Sequence, residues 1–254
     1  MPTASIGRSR RSATSRAASG PDAPPKNTMP EPTHAAIFDL DGTLIDTYDA
    51  HHAAWRTACA ANGIELTPAM FAWSFGRTNP AIIRRFWSDE GRPEPDDETI
   101  ERVAESKETD FRTELERVFP AMPGVPELIT GLRERGFAVA IGTSAPRENL
   151  ELAVDRLGIG DLLDASVCGG EVVHGKPDPE VFLLAAERLG VSPNRCVVVE
   201  DAGAGIDAAQ AGEMSSIGII STGRTAAELV HADLVVDRFD VLRPADFLRL
   251  LDGH

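Results

Sequence analysis

Short apolar runs alternate with amphipathic stretches from His34 onward, and this alternation limits the fold more than any other feature of the chain. The runs are Ala35–Asp39, Phe137–Ile141, Ala165–Cys168, Cys196–Glu200, Ser216–Ile220 and Asp233–Val236. Helical patterns separate most of them: Val125–Arg135, Arg147–Leu157, Pro179–Leu189, Ala204–Ala211 and Ala226–Val230. Such alternation predicts an α/β fold, a Rossmann-like three-layer core in which helices cover both faces of a parallel sheet.

One interval breaks the pattern. Between Asp49 and Phe119 no strand is apparent, and Ala50–Asn62, Thr67–Phe75, Pro80–Glu90 and Asp97–Val118 all read as helices. Gly63 and Gly91 stop two of them, and Thr67-Pro68 starts another as N-cap and first-turn proline. The expected organisation is a tail (1–33), a first core segment (34–47), an inserted α-helical cap domain (48–119) and a second core segment (120–254). The insertion rejoins the sheet through the proline-rich stretch Pro120–Pro126.

The tail is a different material. Residues 1–28 carry Arg8, Arg10, Arg11, Arg16 and Lys26 against Asp22 alone, with no hydrophobic period. Such a segment reads as disordered, including the case of a start at Met29; its Arg- and Ser-rich composition also resembles an organelle transit peptide. The whole chain has a net charge of −15, which speaks against nucleic acid as a partner of the folded part. Cys59, Cys168 and Cys196 form no C-x-x-C pair and read as buried thiols of a reduced, cytoplasmic protein. No apolar run approaches the ~20 residues that span a bilayer. A monomer is the default.

Ligands of open parallel sheets bind beyond the carboxyl ends of the strands. The residues found there are Asp39 and Asp41, then Thr143 and Ser144, then Glu200 and Asp201. Lys176 lies in the loop Gly175-Lys176-Pro177-Asp178-Pro179. Carboxylates gathered in one crevice repel one another unless a cation sits among them, and oxygen ligands on loops suit Mg²⁺ together with a substrate phosphate. Lys176 and the Thr143 hydroxyl suit the other phosphate oxygens. A carboxylate can also attack phosphorus to form an aspartyl-phosphate, while a second one serves as general acid and then base. An EF-hand reading of D-x-D-G fails, because Thr43, Leu44 and Ala50 stand where that loop needs Asp/Asn, Gly and Glu.

These motifs, in this order, resemble the haloacid dehalogenase-like hydrolase superfamily in its phosphatase and β-phosphoglucomutase branch, from about Ala35 to Leu242. The resemblance implies that Asp39 of D-L-D-G-T is the nucleophile and Asp41 the acid/base. It implies that Thr143 of A-I-G-T-S and Lys176 of G-K-P-D-P bind phosphate, with Ser144 supporting that loop. Glu200 and Asp201 of V-V-V-E-D would ligate Mg²⁺ with Asp39 and the backbone carbonyl of Asp41. Asp41 stands where phosphonate-cleaving relatives carry alanine and where the dehalogenases lack a second Asp, so it speaks for phosphoryl transfer. The helical insertion would be a cap that closes over the site and excludes water.

Thr47, His51, Trp55 and Lys107 match further positions of the mutase. The mutase's cap arginine would fall near Asn79, whereas Arg77 lies two residues earlier. With that arginine displaced, hydrolysis of a small sugar phosphate is the expected reaction and the mutase reaction the alternative. A regulatory protein with little turnover is the alternative of another class. Plainer readings stand beside the cap assignments. Lys107 reads equally as a solvated lysine paired with Glu108 or Asp110, and Glu101–Glu116 as a solvated helix face. His51 and His52 also read as an exposed pair. Trp55, Phe71, Trp73, Phe75, Phe86 and Trp87 read as a small core. Arg147 and Asn149 are expected to help start the following helix, and Asp207 to lie on a helix surface.

Overall fold

The computed structural model describes Met1 and residues 32–253. The readings of the tail and of a start at Met29 fall on residues outside that range. Six strands form one sheet: β1 (Ala35–Phe38), β2 (Ala138–Gly142), β3 (Ala165–Val167), β4 (Cys196–Glu200), β5 (Ser215–Ile219) and β6 (Leu234–Val236). Their order is β3-β2-β1-β4-β5-β6, and every pair is parallel. Phe38 of β1 lies opposite Ile141 of β2 and Val199 of β4, so the three central strands end together.

Side chains alternate across a strand, and the two faces of this sheet build separate cores. Ala36, Phe38, Val139, Ile141, Val197 and Val199 face one way. They pack under α5 (Val125–Arg133), α6 (Arg147–Leu157) and α9 (Pro244–Asp252) through Leu128, Leu132, Leu150, Phe247 and Leu251. Ala35, Ile37, Ala138, Ala140 and Val198 face the other way. They meet α7 (Glu180–Leu189) and α8 (Gly203–Ala211) through Val181, Phe182, Ala185, Ala208 and Ala209. Both faces are covered, which is why the central strands are continuously apolar rather than alternating. Each fully buried Phe or Ile in them contributes about 1.5–3 kcal/mol.

Between β1 and α5 lie α1 (Tyr48–Ala61), α2 (Pro68–Ser74), α3 (Asn79–Asp89) and α4 (Asp97–Arg117). Thr67 caps α2 by accepting from the Met70 amide at 3.2 Å, and Asp96 caps α4 by accepting from the Thr99 amide at 2.9 Å. Trp55, Phe71 and Phe86 anchor a third core with Ile82, Ile83 and Val103, while Trp73, Phe75 and Trp87 are only partly buried against it.

Two expectations need correction, and one helix is an addition. Ala226–Val230 is not an α-helix but a short 3₁₀ turn, Ala226–Leu229, closed by Thr225 and Glu228 bonding each other. Only Leu229 of that turn is buried, so no apolar stripe exists to extend it. Helix α9 was not expected. Its apolar residues Phe247 and Leu251 recur at helical spacing behind a first-turn proline, and Phe247 packs against Phe38 and Phe137. Finally, Glu101–Glu116 is not a wholly solvated face, because Val103, Lys107, Glu108, Phe111 and Leu115 of α4 are buried along one side.

Candidate active site

The strand order reverses at β1, with β2 on one side and β4 on the other. The loops leaving these strands diverge there and open a crevice at their carboxyl ends. Asp39 is the first residue past β1, and its amide still bonds Val199 O at 2.9 Å, so β4 fixes its backbone. Thr143 follows β2 in the same way, tied to Val167 O at 3.0 Å. Glu200 ends β4 and Asp201 follows it.

Lys176 Nζ reaches into the space between them. It donates to Asp39 Oδ1 at 2.6 Å and to Glu200 Oε2 at 3.4 Å, with its side chain fully covered. One oxygen each of Asp39, Glu200 and Asp201 lies within 4.8 Å of the others. Burial, opposed by Lys176 and reinforced by Asp201 and Asp41, pushes the Asp39 carboxyl up to about 6. Burial likewise raises Glu200 and Asp201, Glu200 further by the Asp39 charge, against the pull of Lys176 and Arg224 respectively. Burial alone would lower Lys176; the carboxylates of Asp39 and Glu200 outweigh it and hold the ammonium charged.

Two buried oxygens of this cluster, Glu200 Oε1 and Asp41 Oδ1, have no hydrogen-bond partner in the protein. Two glycines let backbone press onto the acids. Gly42 has φ +80°, and a Cβ there would fall 2.2 Å from Asp201 Oδ2; a Cβ on Gly205 would fall 2.1 Å from Glu200 Oε1. Three carboxylates within 4.8 Å of one another, raised in pKa and with Glu200 Oε1 unpartnered, fit a hard divalent cation such as Mg²⁺.

The helical insertion supplies the other wall. His51, Trp55, Phe75, Arg77, Asn79, Lys107 and Glu108 line one cavity with Asp39, Asp41, Thr143, Ser144 and Asn149. Ser144 Oγ donates to Gly76 O at 2.8 Å across this gap. His51 Nε2 lies 3.3 Å from Asp41 Oδ1. Lys107 is buried and donates to His51 Nδ1 at 2.9 Å and to Glu108 Oε1 at 2.8 Å.

Glu108 is the hub of this wall. Oε1 also accepts from Asn79 Nδ2 at 2.7 Å, and Oε2 accepts from Asn149 Nδ2 at 2.7 Å. Burial alone would raise its carboxyl, but the Lys107 charge and then His51 outweigh this and bring it down to about 2.

The structure thus gathers Asp39, Asp41, Thr143, Ser144, His51, Arg77 and Lys107 around one cavity, with Lys176, Glu200 and Asp201 packed beneath Asp39. Thr47 is buried at the start of α1 and does not line that cavity. Arg77 is turned aside: Nη1 donates to Trp73 O at 2.8 Å and Phe75 O at 3.3 Å, and the guanidinium stacks 4.3 Å over the Trp73 ring. Lys107 is not solvated, and Asn149 does not merely start α6; its side chain binds Glu108 and accepts from Arg112 at 3.1 Å. Asp207 is exposed and faces His231 at 3.0 Å.

Sequence reasoning paired Glu108 with Lys107 and put Asn149 at a helix start without bringing either to the cavity, and it missed Arg224. Arg224 Nε donates to Asp201 Oδ2 at 3.1 Å, and its guanidinium lies 3.7 Å from the Phe75 ring centroid, joining core to insertion. The same carboxyl-end rule would have found it, since Arg224 lies in the loop after β5.

The haloacid dehalogenase-like hydrolase family model matches residues 33–212. A chloroplastic 5-amino-6-(5-phospho-D-ribitylamino)uracil phosphatase of Arabidopsis thaliana is 33% identical over 85% of this chain, which spans 57% of that relative. A phosphorylated carbohydrates phosphatase of Thermotoga maritima is 30% identical over 85% of this chain and 97% of its own length. The crystal structure of a β-phosphoglucomutase from Clostridium difficile superposes with a TM-score of 0.79 at 27% identity, covering 87% of this chain and 98% of that one.

Proposed function

The chain belongs to the haloacid dehalogenase-like hydrolase family, and on that premise we propose that it is a Mg²⁺-dependent phosphatase of a small phosphate monoester, a sugar phosphate, working through an aspartyl-phosphate on Asp39. The observation that carries the reading is the placement of Asp39 and Asp41 in one cavity above a buried Lys176 bonded to Asp39 and Glu200. Asp39 attacks phosphorus. Asp41, two residues on, protonates the leaving oxygen and then takes a proton from the water that opens the intermediate. Lys176 and the Thr143 hydroxyl hold the phosphoryl oxygens. Asp39, Glu200, Asp201 and the Asp41 carbonyl would hold Mg²⁺, which supplies neutralising charge to phosphate and carboxylates together.

Helices α1–α4 act as a cap that excludes bulk water and holds the rest of the substrate. The three cysteines are free and buried, which supports a reducing, cytoplasmic setting. Among the described residues no helix is long and apolar enough to cross a membrane.

A phosphomutase is the second reading, favoured by the likeness to β-phosphoglucomutase and by Lys107 and His51 at the cavity. Phosphorus NMR separates the two. The protein is incubated with Mg²⁺, hexose and pentose phosphates, β-glucose 1-phosphate and a trace of glucose 1,6-bisphosphate. Growth of inorganic phosphate is the expected result. Conversion of β-glucose 1-phosphate to glucose 6-phosphate without free phosphate would establish the mutase instead.

A further inference from the structure

We propose that Glu108 sets the substrate class: it neutralises Lys107 inside the cavity, so the far end of the site takes neutral hydroxyl groups and rejects a second phosphate or other anion. The inference rests on the monoester reading above and narrows it.

The titratable groups facing the cavity are the carboxylates of Asp39, Asp41 and Glu108, the imidazole of His51 and the cations of Arg77 and Lys107. On the insertion's side Lys107 is matched by a carboxylate and Arg77 is held aside by main chain. Lys107 Nζ spends two of its three donors on Glu108 and His51, and its charge is matched by a carboxylate at 2.8 Å. Arg77 gives Nη1 to two main-chain carbonyls and lays its face on Trp73. A distal phosphate would bring nearly two negative charges beside a buried carboxylate that already holds Lys107, and like charges so placed repel.

The same groups suit hydroxyls. Glu108 Oε2 receives one bond, from Asn149, and keeps a lone pair. Asn79 Nδ2 donates to Glu108; its other amide hydrogen and its carbonyl oxygen remain for a ligand. A sugar hydroxyl is donor and acceptor at once and meets either need. The apolar rings of Trp55 and Phe75, also in the lining, offer a surface for the carbon skeleton. Asn149, rising from the core helix α6, holds Glu108 in register when the insertion and core are in contact.

The test compares kcat/KM for glucose 6-phosphate, fructose 1-phosphate and glucose 1,6-bisphosphate in the Mg²⁺-loaded wild type, Glu108→Gln and Lys107→Gln. The wild type is expected to prefer the better monophosphate by at least tenfold. Glu108→Gln unmasks the lysine and narrows that gap at least tenfold; Lys107→Gln leaves the carboxylate alone and widens it. A wild type that uses the bisphosphate as well as the monophosphates overturns the proposal, as does a ratio that neither variant moves. If Glu108→Gln does not fold, Lys107→Gln alone decides. If the wild type hydrolyses none of these esters, nor any other in the phosphorus NMR mixture, the phosphatase reading fails separately. Calorimetric binding of the same three probes to the wild type then reads the preference, and equal or absent binding overturns it.

Discussion

Two knots of buried charge face each other across the cavity, and they are balanced in opposite ways. Beneath the sheet edge, Asp39, Glu200 and Asp201 share Lys176 and Arg224, and burial leaves all three carboxyls above their usual range. In the insertion a single carboxylate, Glu108, has Lys107 and two amides to itself and sits at about 2. A cluster short of positive charge stores affinity for a cation; a cluster already neutral does not. On the function proposed above, the core supplies charge-driven chemistry and the insertion supplies shape and hydrogen bonds.

The two knots also respond to pH with opposite sign. Asp39 is raised from 3.8 to about 6, so its ionisation weakens the metal-free fold as pH climbs through that window, and the cost is complete above it. Glu108 is depressed from 4.5 to about 2, so its contribution is fully present above 4.5 and is lost as pH falls toward 2.

The largest expected effect comes from Asp39→Asn. Phosphate release should fall on the order of 10⁴-fold or more, while the metal-free protein at pH 7.5 melts no lower than wild type, since one repelled charge is gone. A variant that still turns over breaks the assignment. Lys176→Met comes next, with a loss of about 10²–10³ in kcat. The acid limb of its pH–rate profile should move to higher pH, because the charge that pulls Asp39 down has been removed; an unmoved limb would separate Lys176 from Asp39. In the other knot, Glu108→Ala leaves a buried ammonium unmatched and should cost about 3 kcal/mol in urea unfolding at pH 7. A cost near zero would mean that the insertion's charges are not balanced as a pair. The smallest effect is Asn149→Ala, about 2 kcal/mol for a lost hydrogen bond to a charged group, with KM rising and kcat held. A fall in kcat alone would place Asn149 in the chemistry instead.

The core half of this comparison was legible in the sequence because chain and site share one logic. Asp39, Thr143, Glu200 and Asp201 stand at or one residue past a strand end, so locating the apolar runs located them as well, whereas Lys176 was legible only from its loop Gly175–Pro179. The insertion offers no such ruler. Lys107 and Glu108 sit in a run dense with charge, and only the stripe Val103, Phe111 and Leu115 shows that this side of α4 is turned inward. Asn149 carries a helix-start residue type and position, yet its partner Glu108 lies 41 residues away. Arg77 belongs to a loop whose own carbonyls claim it, a local bond that residue type does not reveal. Helix α9 was missed for a simpler reason, since its apolar stripe is only a few residues long and lies at the end of the alternation.

The unequal balance of the two knots is tested most directly by titrating Mg²⁺ into the metal-free protein at pH 6 in buffers of different ionisation enthalpy. A cation entering a site whose Asp39 titrates near 6 must displace a fraction of a proton. The account predicts net proton release in the wild type, diminished in Asp39→Asn and unchanged in Glu108→Gln. Binding without proton release, or release that survives Asp39→Asn and disappears in Glu108→Gln, would contradict it.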